Sequence, residues 1–112
     1  MPYVKIQTNQ AVDDKAGLLK KLSKVSAEAI GKPENYVMTA CDPQTEMTFG
    51  GTADPAAFIQ CKSIGLSGSQ TKNISSALCT FCQKELNVPE DRVYIEFAGA
   101  EGSMWGWKGS TF

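Results

Sequence analysis

The sequence predicts an α/β fold in which a duplicated βαβ unit forms a four-stranded mixed sheet with two helices on one face. Each half of the chain reads as strand, helix and strand, because apolar residues alternate in the strands and recur every three or four residues in the helices. A helix stop, a proline and a strand also recur at residues 33–37 and 89–93. Since a βαβ crossover joins parallel strands, both helices are expected on one side of the sheet.

The length of 112 residues predicts a single domain over residues 1–112, because a typical domain has about 150 residues. The repeated pattern divides it into pseudo-repeats of approximately 1–56 and 57–112. A content of 42% hydrophobic and 21% charged residues is typical of a globular chain. The formal charge of -1 argues against nucleic acid or an anionic membrane as a partner.

In the first half, the alternating residues Tyr3–Thr8 predict a strand. Asp13 or Asp14 caps the helix that follows, and Gly31 ends it. A second strand is predicted over Tyr36–Cys41, followed by a short extended piece at Met47, Thr48 and Phe49. The apolar stripe of the helix consists of Leu18, Leu22, Val25 and Ala29.

In the second half, Ala57–Ile64 is a predicted strand and Ser69 is the predicted cap of the second helix. Asn87–Pro89 stops that helix, and Arg92–Phe97 forms the last strand. The helix carries one apolar stripe of Ile74, Leu78, Phe81 and Leu86. The other face of the sheet is expected to carry many apolar side chains with no helix to cover them, so another subunit is expected there.

The chain contains no histidine, which excludes a Ser-His-Asp triad, a Cys-His dyad and a zinc site that needs imidazole. A general base would therefore be a carboxylate, lysine, tyrosine, cysteine or the N-terminal amine. The sequence has no metal-binding cluster, phosphate loop or nucleotide fingerprint, so neither a metal nor another cofactor is predicted.

The four cysteines are predicted to be reduced thiols, because the chain has no charged leader before an apolar run. No segment approaches the roughly 18 apolar residues that span a bilayer. We therefore expect a cytoplasmic protein with no membrane partner. The Cys79–Cys82 pair lies inside the predicted second helix and is interpreted as two core-facing side chains.

Pro2, Lys32 and the C-terminal aromatic residues each allow two interpretations. Removal of Met1 would give Pro2 a secondary amine that can act as a base, but proline also simply begins strands. Lys32 either stabilises the end of the first helix or binds a carboxylate at a pocket mouth. The aromatic tail of residues 103–112 either lines a pocket or seals an interface.

Seven segments in order resemble the macrophage migration inhibitory factor family of the tautomerase superfamily, over nearly the whole chain. They are Met1-Pro2, Thr8-Asn9, Gly31-Lys32-Pro33, Phe49-Gly50-Gly51, Ser63-Ile64-Gly65, Asp91-Arg92-Val93-Tyr94-Ile95, and Gly106-Trp107 with Ser110-Thr111-Phe112. Each segment alone is weak, whereas the seven together at these separations are specific. The resemblance favours the functional interpretation of Pro2 and Lys32.

The resemblance implies a homotrimer whose sheets form a barrel-like core, and a keto–enol tautomerase of phenylpyruvate-like and dopachrome-like substrates. Pro2 would be the general base, and Lys32 would bind the substrate carboxylate and lower the pKa of the proline. The backbone N–H of Ile64 would contact the small aromatic keto or enol acid, and Ser63 would shape the same edge. The aromatic slot, partly supplied by the neighbouring chain, would consist of Tyr36, Tyr94, Trp105, Trp107 and Phe112.

The sequence departs from the family pattern at three places. Ala56 and Ile59 replace a Cys-x-x-Cys pair, so a thiol-oxidoreductase activity is not expected. Glu96 replaces a common asparagine that contacts substrate, where a carboxylate would either repel an anionic substrate or be solvated. Lys62 replaces a histidine and is expected to add positive charge beside the site, which would offset Glu96. The family alternative is a cytokine-like signalling protein that binds a cell-surface receptor after leaderless secretion. A ferredoxin-like regulatory or RNA-binding domain is a more distant alternative, because the sheet lacks a basic aromatic motif.

Overall fold

The computed structural model describes residues 1–112 and contains four long strands, two long helices and a small C-terminal hairpin. In chain order the elements are β1 (Tyr3–Thr8), α1 (Lys15–Ile30), β2 (Met38–Asp42), β3 (Ala57–Ile64), α2 (Gly68–Leu86), β4 (Val93–Ala100), β5 (Gly106–Trp107) and β6 (Ser110–Thr111). Single 3-10 turns lie at Glu34–Tyr36, Glu90–Arg92 and Gly102–Met104.

The four long strands form one sheet in the order β2-β1-β3-β4. Strands β1 and β2 are parallel, as are β3 and β4, while β1 and β3 pair in antiparallel fashion at the centre. Each parallel pair is joined through one helix, as a βαβ unit requires. The predicted four-stranded mixed sheet is therefore confirmed.

The core lies between one face of the sheet and the two helices. Alternate side chains of β1 and β3 point into it, and Val4, Ile6 and Ile59 have no exposed surface. Leu22 from α1 and Leu78 from α2 meet them and are also fully buried. Both helices therefore pack on the same face, as predicted, and leave the opposite face of the sheet open.

Helix α1 begins where one of the two candidate caps predicts. The Asp14 carboxylate accepts a 2.9 Å hydrogen bond from the backbone N–H of Gly17, so Asp14 rather than Asp13 is the cap. Gly31 ends the helix at φ 76° and donates its N–H to Ala27 at 2.9 Å. The cap and the stop match the sequence prediction.

The predicted apolar stripe of α1 faces the core. Leu18 and Leu22 are buried, and Val25 and Ala29 are half-buried and pack against the core. Val25 also borders a groove between α1 and α2 that opens to solvent, and this position explains its partial exposure. The last two turns additionally bury Ser26, Ala27 and Ile30.

Helix α2 begins two residues earlier than predicted. The N-terminal cap is Ser67, whose backbone N–H donates to the side-chain oxygen of Gln70 at 3.1 Å. This reciprocal capping box starts the helix at Gly68, so the prediction of Ser69 as the cap is wrong. The apolar stripe is confirmed, because all four predicted positions are buried: Ile74, Leu78, Phe81 and Leu86.

The predicted strand Tyr36–Cys41 is wrong at its start. Pro33 begins a 3-10 turn in which Tyr36 donates its N–H to the Pro33 carbonyl at 3.1 Å, so β2 begins only at Met38. Pro89 begins the same kind of 3-10 turn before β4, so the two halves of the chain share this turn as well as their sequence pattern. The extended piece predicted around Phe49 forms only an isolated bridge to Thr52.

The open face of the sheet carries several apolar side chains, as expected from the sequence, together with charged ones. Lys5 forms a 3.0 Å ion pair with Asp42 on this face. Alternation along the strands places the following residues there: Tyr3, Lys5, Gln7, Met38, Asp42, Phe58, Gln60, Lys62, Tyr94 and Glu96.

Neither α1 nor α2 combines the length and apolar character needed to span a bilayer.

Candidate active site: a cavity at Pro2 and the C-terminal hairpin

A cavity of about 460 Å³ lies where β1 begins and the C-terminal segment folds back. Five of the predicted site residues line it: Pro2, Tyr36, Trp105, Trp107 and Phe112. The other lining residues are Met1, Tyr3, Asn35, Val37, Met38, Lys62 and Gly106. The volume is within the range of about 300–1,000 Å³ that is usual for small-molecule sites.

Pro2 is buried at the base of this cavity. Its carbonyl oxygen accepts a 2.9 Å hydrogen bond from the backbone N–H of Met38. Proline has no N–H to donate, so it fits directly before the first residue of β1, where no further ladder bond is needed. The bond to Met38 and the burial of the ring fix the position of the Pro2 nitrogen.

Three aromatic rings form one wall of the cavity. Trp107 and Phe112 stack with centroids 5.1 Å apart and planes 13° apart, and Tyr36 meets both rings edge-on at 5.7 and 6.2 Å. These arrangements are the favourable ones for aromatic pairs. The wall can hold a planar ring of a ligand against an apolar surface.

The C-terminal hairpin holds this wall in place. Strands β5 and β6 are joined by Lys108 and Gly109, which have φ values of 57° and 76°, as a two-residue hairpin turn requires. Phe112 then donates its N–H to the carbonyl of Trp105 at 3.2 Å. Gly102 packs so closely on Phe112 that a Cβ there would lie 2.8 Å from the Phe112 carbonyl oxygen.

The electrostatics of the cavity mouth favour a neutral amine. Burial, and secondly the positive charge of Lys32, lower the pKa of the Met1 amino group. Lys32 is half-buried directly after α1, and its side chain is not part of the cavity lining. Lys32 therefore acts on this end of the chain by its charge, while Lys62 is the lysine that lines the cavity.

Ser63 and Ile64 lie beside the cavity and outside its lining. In the β1–β3 register Tyr3 pairs with Lys62, and continuing that register places Pro2 opposite Ser63. Ser63 is buried, and its hydroxyl donates to the Ile64 carbonyl at 3.4 Å. The same continuation places Ile64 opposite Met1, at the edge predicted for substrate contact.

Tyr94 and Glu96 lie away from the cavity of the same chain. Tyr94 pairs with Phe58, which pairs with Gln7 at the far end of β1. At about 3.3 Å per residue, that position is roughly 13 Å along the strand from Tyr3. Glu96 pairs with Gln60, level with the middle of β1, and does not line the cavity. One chain alone therefore does not bring these two residues to Pro2.

Tyr94 instead covers a second cavity of about 480 Å³, with its ring centroid 4.6 Å from that of Phe49. Arg92 holds the loop that carries Phe49. Its guanidinium donates to the carbonyls of Phe49 at 2.8 Å, Asp54 at 2.9 Å and Pro55 at 3.1 Å. The motif segments around Phe49 and Arg92 thus form one anchored loop.

Several residues that line the cavity were missed by sequence reasoning. Asn35 and Val37 reach it because the chain makes a 3-10 turn after Pro33 instead of a strand. Met38 and Lys62 reach it from the open face, where Met38 is 65% exposed. Of these residues, only Lys62 is expected beside the site from the sequence, as an added positive charge, and the alternation of β3 places it on that face.

The four cysteines are buried or half-buried, and all are free thiols, as predicted. Burial raises the pKa of Cys61 to about 11 and that of Cys82 to about 12, so neither is a thiolate near neutral pH. Cys82 is buried in the core, and Cys79 is half-buried and packs against the core, as predicted for the pair. No three His, Cys, Asp or Glu side chains lie together in a way that could hold a metal ion.

Comparison with known proteins gives consistent matches over the full chain. The model of the macrophage migration inhibitory factor family matches residues 1–112. The macrophage migration inhibitory factor of Xenopus tropicalis is 40% identical over 100% of this chain and 99% of its own, and the homolog of Brugia malayi is 41% identical with the same coverage. The crystal structure of the homologue from Prochlorococcus marinus has a TM-score of 0.92 and 43% identity, covering 98% of both chains. The chain belongs to the macrophage migration inhibitory factor family.

Proposed function

We propose that the protein is a keto–enol tautomerase of phenylpyruvate-like and dopachrome-like acids, with the nitrogen of Pro2 as the general base after removal of Met1. The observation that carries this proposal is the position of Pro2, buried at the base of an aromatic-walled cavity next to two lysines. Proton transfer beside a carbonyl needs a positioned base and an anchored substrate, and this cavity offers both.

The base is tuned by its surroundings. Burial and Lys32 lower the pKa of the amine that precedes Pro2, and both effects would act on a free Pro2 amine at nearly the same place. Lowering the pKa of a secondary amine increases its neutral fraction, which is the form that accepts a proton. The site therefore supports general base catalysis without histidine.

The reaction moves one proton and changes no composition. The Pro2 nitrogen takes a proton from the carbon next to the keto group. The electron pair of that C–H bond becomes the new C=C bond, and the π pair of the carbonyl group moves to its oxygen. The enolate oxygen then takes a proton back from the protonated Pro2 nitrogen and gives the enol, and the reverse sequence gives the ketone. Lys32 would bind the substrate carboxylate, while Tyr36, Trp107 and Phe112 would hold the ring.

The complete site would lie at a boundary between subunits of a homotrimer. Tyr94 lies towards the far end of β1 from Pro2, and Glu96 lies level with the middle of that strand. Neither lines the Pro2 cavity of its own chain, so in the proposed assembly a neighbouring copy supplies both. The large apolar side chains Met38 and Tyr94 are more than 60% exposed on the open face, which supports burial against another copy. The three open faces would form the barrel-like core, with the helices outside.

The test is a phenylpyruvate tautomerisation assay on protein from which Met1 has been removed. We expect turnover by the processed protein and a loss of at least a hundredfold in a Pro2→Gly variant, because general base catalysis contributes about 10²–10⁴-fold. Light scattering should give three times the mass of one chain for both proteins. Equal rates for the two processed proteins would show that Pro2 is not the base.

A further inference from the structure

We propose that Lys62 is a second anion-binding residue of the Pro2 cavity, so that the preferred ligand is an aromatic acid with a second anionic group remote from its first carboxylate. This inference rests on the proposed function only where it names the ligand as a substrate. Binding of the ligand can be measured without turnover. It adds a chemical class of substrate to a site at which Lys32 alone accounts for one carboxylate.

The position of Lys62 supports this role. Its side chain lines the cavity together with Pro2 and Phe112. On the open face it is paired in register with Tyr3 on one side and with Ala98 on the other, so both strand neighbours are uncharged. The ammonium group is therefore available to a ligand inside the cavity.

Within one chain the charge of Lys62 is also unpaired. Lys5, two positions away on the same face through Gln60, is neutralised by Asp42 at 3.0 Å. Glu96 is the acid that lies diagonally from Lys62 on β4, and no ion pair joins the two. A half-buried cation without a partner is stabilised by an incoming anion, whereas a neutral ligand leaves it unpaired.

Lys32 and Lys62 approach the cavity from different parts of the chain. Lys32 follows α1 and acts at the amino terminus, while Lys62 belongs to β3 and is part of the wall. The aromatic wall of Tyr36, Trp107 and Phe112 belongs to the same cavity. Two cations and an aromatic wall match a ring that carries two separate anions.

The experiment compares two ligands that cannot enolise, 3-phenylpropanoate and 3-(4-carboxyphenyl)propanoate, by calorimetry on the full chain after removal of Met1. We expect the dicarboxylate to bind the unmodified protein about tenfold more tightly than the monocarboxylate, and the advantage to vanish in Lys62→Gln. Lys62→Arg should retain it. Lys72→Gln, which changes an exposed lysine of α2 outside the cavity, should leave the ratio unchanged.

The ratio of the two affinities is unaffected by a uniform loss of folded protein. It therefore measures only the contribution of the second carboxylate to binding. A ratio that stays at about ten in Lys62→Gln overturns the proposal, as does a ratio near one, or no binding of either ligand, in the unmodified protein. Absence of phenylpyruvate turnover with the ratio intact would overturn the tautomerase proposal alone. The two hypotheses therefore fail on different measurements.

Discussion

The backbone N–H of Met38 donates a 2.9 Å hydrogen bond to the carbonyl oxygen of Pro2. This bond ties the residue before β1 to the first residue of β2 and makes no use of the Pro2 nitrogen. Because proline has no N–H, no backbone ladder bond depends on that atom. The nitrogen can therefore be acylated or free without a change in the strand pairing.

Protein that retains Met1 should fold and assemble normally but be nearly inactive. The Pro2 nitrogen is then a tertiary amide without a basic lone pair, and Met1 lines the cavity that the substrate would enter. Aminopeptidase treatment should restore phenylpyruvate turnover in proportion to the processed fraction measured by intact mass. Equal turnover by fully Met1-bearing protein would redirect the search for the base to Tyr94 or Glu96.

Lys32→Ala should shift the acid limb of the pH–kcat/KM profile to higher pH and raise KM for carboxylate substrates. A nearby cation disfavours the protonated amine, so its removal raises the pKa of the base, and a higher pH is needed for the neutral form. Burial is the larger cause of the lowered pKa of the Met1 amine, so the pKa of the base in Lys32→Ala should stay below that of an exposed amine. Lys20→Ala, on the exposed side of α1, is the control. An unmoved acid limb would contradict the electrostatic role.

Glu96→Asn should increase kcat/KM for an anionic substrate about fivefold, because it removes a negative charge from a partly solvated site. The effect requires a neighbouring copy, since Glu96 does not reach the cavity of its own chain. Glu46→Gln removes an exposed charge elsewhere and should change nothing. A lower or unchanged rate in Glu96→Asn would show that this carboxylate points away from substrate or helps to bind it.

Arg92→Lys should lower the free energy of unfolding by about 2 kcal/mol, because it keeps the charge but loses most of the hydrogen bonds to loop carbonyls. The loop from Phe49 to Pro55 should become the first site of limited proteolysis. Denaturant unfolding at a fixed protein concentration measures the loss, with Lys84→Gln as a surface control. Unchanged stability and protection would mean that Asn9, which also bonds this loop, is sufficient.

Ser26→Ala should raise the free energy of unfolding by about 1 kcal/mol. The Ser26 hydroxyl is fully buried in α1 and has no hydrogen-bond partner, and leaving such a group unsatisfied is costly. Ser76→Ala, at an exposed position of α2, should have a much smaller effect. A destabilised Ser26→Ala variant would indicate that the lost contacts of the oxygen outweigh its desolvation.

Local signals were sufficient for most of the fold. The alternation in Tyr3–Thr8 and the stripe around Ile74 and Leu78 each have one stable solution, which buries the apolar side. The start of α2 was different, because Ser67 and Ser69 are both good caps by type. Only the bond from Ser67 to the Gln70 side chain selects between them, and that depends on local geometry.

The site was harder to predict from the sequence than the fold, because strand register and turn geometry decide which of its residues come together. Pro2 and Trp107 were identified by motif, and they do line one cavity. The position of Tyr94 depends on its pairing with Phe58, which no local pattern specifies. The sequence predicts a positive charge beside the site at Lys62, but its place in the cavity wall depends on the pairing of β3 with β1 opposite Tyr3.

The central antiparallel pairing of β1 and β3 also has a consequence for how the chain folds. Every contact within the four-stranded sheet joins distant residues: Val4 meets Thr39, Ile59 meets Ile95, and Ile6 meets Ile59 across the centre. No hairpin within this sheet can form early and serve as a template, so loop-closure entropy opposes each step. We therefore expect folding in milliseconds to seconds, with β1 unpaired on its β3 side until the second half of the chain has been synthesised.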